Sequence, residues 1–232
     1  MKRRLLAITI GAAALAALTV GIVGANSDGG SGRGVMYEIS ITNLTKSQPL
    51  SPVTVATHTR ELEPLFTPGQ PASAELAALA EDADAGGLNA LLDPATNDDV
   101  NDLQTIFGVN GPILPGETAS VVVEARGKAR FFSLVSMLVN TNDAFTAIRG
   151  QDLVRGDRMF WTPAYDAGSE ANNEDCAFIP GPACGNPFVR DTAGAEGYVY
   201  ISPGVHGIAD LVPAMHDWRN PVVLVQVRRV AR

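Results

Sequence analysis

Only three histidines and two cysteines occur in the 232 residues, and their placement removes whole classes of chemistry. His58, His206 and His216 are scattered, with neither an HExxH motif nor the near pair that a zinc site would use. Structural or surface roles are expected for them. The chain has no G-x-S-x-G elbow, so the usual sequence support for a serine hydrolase is missing. No repeat of fixed period is visible, which argues against a solenoid or propeller. Positive charge is also scarce, with 17 Lys and Arg against 25 Asp and Glu and a net charge of −8. Such a surface repels nucleic acid and anionic lipid. Soluble partners or cations fit it better, and no catalytic residue is assigned.

The N-terminal stretch MKRRLLAITIGAAALAALTVGIVGAN starts basic at Lys2, Arg3 and Arg4, runs uncharged and apolar from Leu5 to Val23, and reaches small residues at Gly24 and Ala25. That is the layout of a secretory signal peptide, residues 1–25, with cleavage after Val23-Gly24-Ala25. The alternative is an uncleaved membrane anchor, because the apolar run approaches bilayer-spanning length. Either way the remainder is expected to be exported: secreted, periplasmic or at the cell surface, with no membrane span after signal cleavage. No cysteine stands directly after the apolar run where a lipid-attachment box would need it, so a lipoprotein attachment site is not expected. Removing residues 1–25 takes away three positive charges and no negative ones, moving the net charge from −8 to −11. In an exported chain, Cys176 and Cys184, eight apart in CAFIPGPAC, are expected to form one local disulfide across a Pro/Gly loop with little core of its own.

Residues 26–34, NSDGGSGRG, have the composition of a flexible linker. Residues 35–232 are expected to form one domain. In VMYEISITNLT, Met36, Glu38, Ser40 and Thr42 alternate with Tyr37, Ile39 and Ile41, a strand pattern. LSPVTVATHT predicts a second strand. PASAELAALAEDADAGGLNALLD changes the period: Leu76, Leu79 and Ala80 share a helical face, Ser73 is the candidate N-cap, and Gly86-Gly87 is the expected break before another turn at 88–92. Thr118 to Ala125 and Arg130 to Val139 read as strands, with Gly127-Lys128 in the place of a hairpin turn. Long loops carrying short apolar pieces, RMFWTPAY and GYVYIS, follow Asp152. Val222 to Val230 predicts a last strand pairing near the first. The sum is an all-β fold, an antiparallel β-sandwich with short helical insertions and long loops.

One segment raises a question of chemistry. In LVNTNDAFTAIRGQDL an apolar run opens onto Asn140, Asn142 and Asp143. Asn and Asp tolerate the backbone of tight turns, but they also gather oxygen atoms at the end of a rigid strand. TPAYDAGSEANNEDC adds Asp166, Glu170, Glu174 and Asp175, with Asn172 and Asn173, around Gly168. Calcium takes six to eight hard oxygens. The segment is not an EF-hand: counted from Asp166, the sixth position is Ala171 and the twelfth Ala177. A solvated acidic loop stands beside the metal reading.

Five pieces in order carry a resemblance: NLTKSQPLSP at 43–52, PASAELAALAED at 71–82, GPILPGE at 111–117, FSLVSMLVNTNDAF at 132–145 and YDAGSE at 165–170. Together they resemble spondin N-terminal domains, extracellular modules of animal matrix proteins and of exported bacterial proteins, over nearly all the chain from Tyr37 on. The resemblance implies a β-sandwich that binds a divalent cation, calcium with Mg2+ not excluded, through loops at one end. It also implies a role in adhesion or extracellular binding, to a protein or glycan at the cell surface. It implies Asp143, Asp166 and Glu170 as metal ligands, Glu170 being one methylene longer than the aspartate of the animal proteins. Asn140 and Asn142 are possible additional donors. This chain differs in having Ala144 before Phe145 and in lacking the extra cysteines of the animal proteins. The alternative function is a secreted hydrolase or glycan-binding protein using the same acidic loops, and a passive envelope piece is the third.

Overall fold

The computed structural model describes residues 33–153 and 156–231. The expected signal peptide, and the expected linker up to residue 32, lie outside the described residues. In chain order the elements are β1 Val35–Asn43, β2 Val53–His58, α1 Ala74–Asp82, α2 Gly86–Leu91, β3 Val100–Ile106, β4 Thr118–Ala125, β5 Phe131–Met137 and β6 Ala144–Asp152. There follow β7 Arg158–Thr162, β8 Ala164–Asp166, a 3-10 turn Cys176–Phe178, β9 Tyr200–Ile201, the single turn α3 Pro213–His216 and β10 Val223–Arg229.

The strands form two antiparallel sheets, a four-stranded one in the order β4-β1-β10-β7 and a six-stranded one in the order β3-β2-β5-β6-β8-β9. The fold is an all-β sandwich, and the first and last strands pair as expected, Ile39 opposite Val227 and Ile41 opposite Val225. The period-two pattern of β1 sends Tyr37, Ile39 and Ile41 into the layer between the sheets, where they meet Val53, Val55, Phe132, Leu134, Val223 and Val225. A second apolar layer lies on the other face of the larger sheet. There Leu76, Leu79 and Ala80 of α1, with Leu88 and Phe66, cover Val135, Met137, Phe145 and Ala147. Central strand β5 is therefore buried at every position, which is why its sequence, FFSLVSM, is apolar on both faces apart from Ser133 and Ser136 instead of alternating.

The N-cap reading holds, since the Ser73 hydroxyl oxygen accepts the Leu76 N–H at 3.2 Å. The end of the helix is different from the expectation. Ala83 turns left-handed at φ 59° and ends α1, with its N–H on the Leu79 carbonyl at 3.0 Å. Gly86 and Gly87 open α2 instead of breaking α1.

The expected hairpin of β4 and β5 does not form. Gly127-Lys128 does reverse the chain, closed by the Ala129 N–H on the Arg126 carbonyl at 2.8 Å, but β4 pairs with β1 in one sheet and β5 with β2 and β6 in the other. The burial of the two strands explains this. β4 alternates as a half-exposed strand, whereas β5 is covered on both faces, so the two belong to different positions in the sandwich and the turn crosses between sheets. Strands β3 and β6 are not expected from the sequence, and β7, β8 and β9 form where it predicts long loops with short apolar pieces. VNDLQTI is too polar to signal a strand, and AFTAIRGQD follows its turn so closely that it reads as loop.

The Cys176–Cys184 disulfide is present and closes the loop that carries the 3-10 turn. Cys176→Ser with Cys184→Ser is expected to cost about 2.5 kcal/mol, from the closure entropy of a loop this short, and thermal unfolding of the double variant measures it.

Candidate functional site

Asp143 closes the connection between β5 and β6 and stands immediately before β6, not at the end of β5 as the sequence suggested. The turn is held by Thr141, whose hydroxyl donates to the Leu138 carbonyl at 2.6 Å and accepts the Ala144 N–H at 3.0 Å. One strand over, Asp166 is paired with Ala144, and the Ala167 N–H reaches the Asp143 carbonyl at 3.2 Å. Two distant segments of sequence are thereby fixed side by side at one end of the larger sheet.

The DAGSE loop after β8 wraps around the first carboxylate. Asp143 Oδ2 accepts the backbone N–H groups of Ser169 at 2.8 Å and Glu170 at 3.1 Å. Asp166 Oδ1 accepts the Gly168 N–H at 2.9 Å, and its Oδ2 accepts from Asn172 Nδ2 at 2.8 Å. Asn172 also reaches the Tyr200 hydroxyl at 2.9 Å. Glu170 Oε1 accepts the Asp191 N–H at 2.8 Å. Two carboxylate oxygens remain: Asp143 Oδ1 and Glu170 Oε2 are buried and have no hydrogen-bond donor. Native proteins rarely leave such an atom without a partner or a reason.

The electrostatics match the geometry. Asp143, Asp166 and Glu170 are each no more than 1% exposed. Burial pushes the Asp143 carboxyl up to about 6, although the Glu170 and Ser169 N–H groups hold it down. Asp166 is pushed up to about 8, first by burial and then by the charge on Asp143. Glu170 also rises to about 8, through burial, with Glu81, Asp143 and Asp82 adding repulsion. Burial and the charge of Asp166 raise the Tyr200 hydroxyl as well. Among the described residues no basic side chain pairs with these three acids. Arg190 ion-pairs with the end of α1, Nη2 2.8 Å from Asp82 Oδ2 and Nε 2.6 Å from Glu81 Oε2, and its charge reaches Glu170 from there without an ion-pair contact.

The remaining acidic-loop residues and the two candidate asparagines do other work. Asn140 Oδ1 accepts the Ala183 N–H at 2.9 Å and so anchors the disulfide loop. Asn142 Oδ1 accepts the Glu174 N–H at 3.3 Å, while its Nδ2 donates to Asn173 Oδ1 at 3.2 Å. Glu174 turns away from the cluster. Its carboxylate accepts three successive N–H groups, His206 at 2.5 Å, Gly207 at 2.6 Å and Ile208 at 3.0 Å, clasping two long loops together. Asp175 caps the 3-10 turn through the Ala177 N–H at 2.8 Å. Sequence reasoning missed the roles of Tyr200, Asp191 and Arg190, which come from segments with no motif of their own.

Among the described residues, no three Asp, Glu, His or Cys side chains stand as a ready set of metal ligands. One oxygen of Asp143 and both of Asp166 are turned to donors of the loop that follows β8. The donor set nevertheless suits a hard cation. It is all oxygen, it carries three carboxylates, and two of its oxygens are without a donor. Fold and site together define an antiparallel β-sandwich with a buried, uncompensated carboxylate cluster at one end of its larger sheet. No protein-family model matches the chain, and no curated protein matches it.

Proposed function

We propose that this chain is an exported β-sandwich module of the spondin type that binds a divalent cation, calcium or else magnesium, through Asp143, Asp166 and Glu170. Its role is binding or adhesion outside the cell, toward a protein or glycan partner, without catalysis. One observation carries the reading: three buried carboxyl groups share a sheet end with no basic partner among the described residues, and two of their oxygens lack any donor. Three such groups ionise together only against a balancing charge, and a bound cation supplies it. The neutral amide donors around them, from Ser169, Glu170, Gly168 and Asn172, orient the carboxylates without cancelling their charge.

Thermal unfolding in a calcium titration tests this. Calcium at a hundred times its dissociation constant is expected to stabilise the wild type by about 2.7 kcal/mol. Asp143→Asn and Asp166→Asn are each expected to remove most of that shift, because each deletes a charge and a donor oxygen. If both variants shift as the wild type does, calcium is bound elsewhere and the ligand assignment is wrong.

A further inference from the structure

At the end of the larger sheet remote from Asp143, two β-bulges sit side by side. The register of β2 on β3 slips between Thr57 and His58. That of β5 on β6 slips between Phe132 and Leu134, so that Arg149 and Gly150 together oppose Ser133. Bulges re-aim side chains and cluster near functional sites. Here they set His58 beside Ser133. His58 Nδ1 lies 2.6 Å from the Thr59 carbonyl, which can only accept, so Nδ1 carries the proton. Nε2 is therefore the acceptor for the Ser133 hydroxyl at 2.9 Å. The Gly150 N–H donates to the same hydroxyl oxygen at 2.9 Å. Gly150 is left-handed at φ +53°, the conformation the bulge requires of it.

This pair lines a cleft of about 360 Å³ together with Arg60, Leu62, Phe131 and Arg149, and with Glu63 as its one carboxylate. The two guanidinium groups are held on aromatic faces. Arg60 lies 5.2 Å from the Phe131 ring centre, and Arg149 lies 4.8 Å from that of Phe66 and donates to the Phe66 carbonyl at 3.1 Å. Neither has a carboxylate partner among the described residues. In a chain of net charge −8, two arginines without acidic partners at one cleft are a local exception to the general field. A purely structural role for the His58–Ser133 contact, tying β2 to β5, requires no such pair.

We propose that this cleft binds a small organic anion: a carboxylate engaged by Arg60 and Arg149, its apolar body lying against Leu62 and Phe131. Guanidinium forks match a planar carboxylate. The volume is in the range of small-ligand pockets, and Glu63 disfavours a doubly charged group more than a single one. The site is independent of the cation reading, being built at the opposite end of β5 and β6.

Benzoate titrated into the isotope-labelled whole chain, followed through the backbone amide signals of Ser133 and Gly150, tests the proposal. Saturable shifts are expected with benzoate and not with benzamide, its neutral counterpart. Arg60→Gln and Arg149→Gln, both exposed positions, are each expected to weaken benzoate binding about tenfold, the loss of one charge-assisted hydrogen bond. Their amide spectra and unfolding midpoints show whether the fold is kept. Asp143→Asn is expected to leave benzoate binding intact. Equal responses to benzoate and benzamide, unaltered binding in both glutamine variants, or no saturable shift at Gly150 would each overturn the site. Inorganic sulfate binding as tightly as benzoate would overturn the role given to the apolar walls.

Discussion

In a chelator the protein is expected to lose stability continuously as the pH rises from about 4 to about 8, and calcium is expected to flatten that slope. Unfolded carboxyl groups titrate near 4. In the fold, burial lifts Asp143 to about 6 and Asp166 and Glu170 to about 8. Below the unfolded values both states hold their protons, and the full stability is present. Above them the unfolded chain releases protons that the fold keeps, so each further pH unit favours unfolding. The loss ends once the folded values are passed. All three shifts have the same sign, so their contributions add, and the cluster as a whole is expected to remove a large share of the stability typical of a domain. Calcium binds the ionised form and releases protons on binding. Its stabilisation is therefore expected to be small near pH 5 and largest near pH 8. Asp143→Asn, which deletes one of the repelling charges, is expected to be more stable than the wild type in chelator at pH 8 while losing most of the response to calcium. Unfolding midpoints across this range, with chelator and with calcium, measure all of it. A flat profile in chelator would mean that the cluster is not buried and uncompensated as described. A sloping profile indifferent to calcium would leave the cluster in place but deny it the cation.

Much of this site was legible in the sequence because its residues have local reasons to be where they are. Asp143 follows an apolar run that had to be a buried strand, and Asp166 opens a D-A-G turn whose glycine marks a tight reversal. What could not be read is the part that depends on pairing between distant segments. Asn140 and Asn142 stand as possible additional donors by residue type; that their side-chain oxygens accept from Ala183 and Glu174 is signalled by nothing within a few residues of either. The clasp of Glu174 on residues 206–208 joins segments more than 30 residues apart. The β4–β5 turn misled for a related reason. Gly127 fits a hairpin as well as a crossing between sheets, and only the partners of each strand decide which one forms. His58 and Ser133 meet through two register slips, which leave no mark on the period of either strand.

Gly168→Ala is expected to lower stability by about 4 kcal/mol, from left-handed strain together with overpacking, and to abolish the calcium response. Gly168 sits at φ +64°, and an added Cβ would meet the Tyr198 carbonyl oxygen and carbon, with the Tyr198 nitrogen at 2.8 Å. These are backbone atoms held on both sides. The Gly197 N–H donates to the Gly168 carbonyl at 2.8 Å, the Val199 N–H to the Gln70 carbonyl at 2.8 Å, and Tyr200 pairs with Asp166. No side-chain rotation relieves the contact, so the turn itself must move. Moving it withdraws the Ser169 and Glu170 N–H groups from Asp143 Oδ2 and the Gly168 N–H from Asp166 Oδ1, and carries Glu170 away from the other two acids. Gly127→Ala is the matched control. Gly127 has φ +55° with open space around it, so the change is expected to cost about 1 to 2 kcal/mol from backbone strain alone and to keep the calcium response. Paired unfolding measurements on the two variants, with and without calcium, separate the outcomes. A Gly168→Ala protein as stable as the control would mean the D-A-G turn is not packed on Tyr198. One that is destabilised but still shifts with calcium would show that this loop does not bring the ligands together.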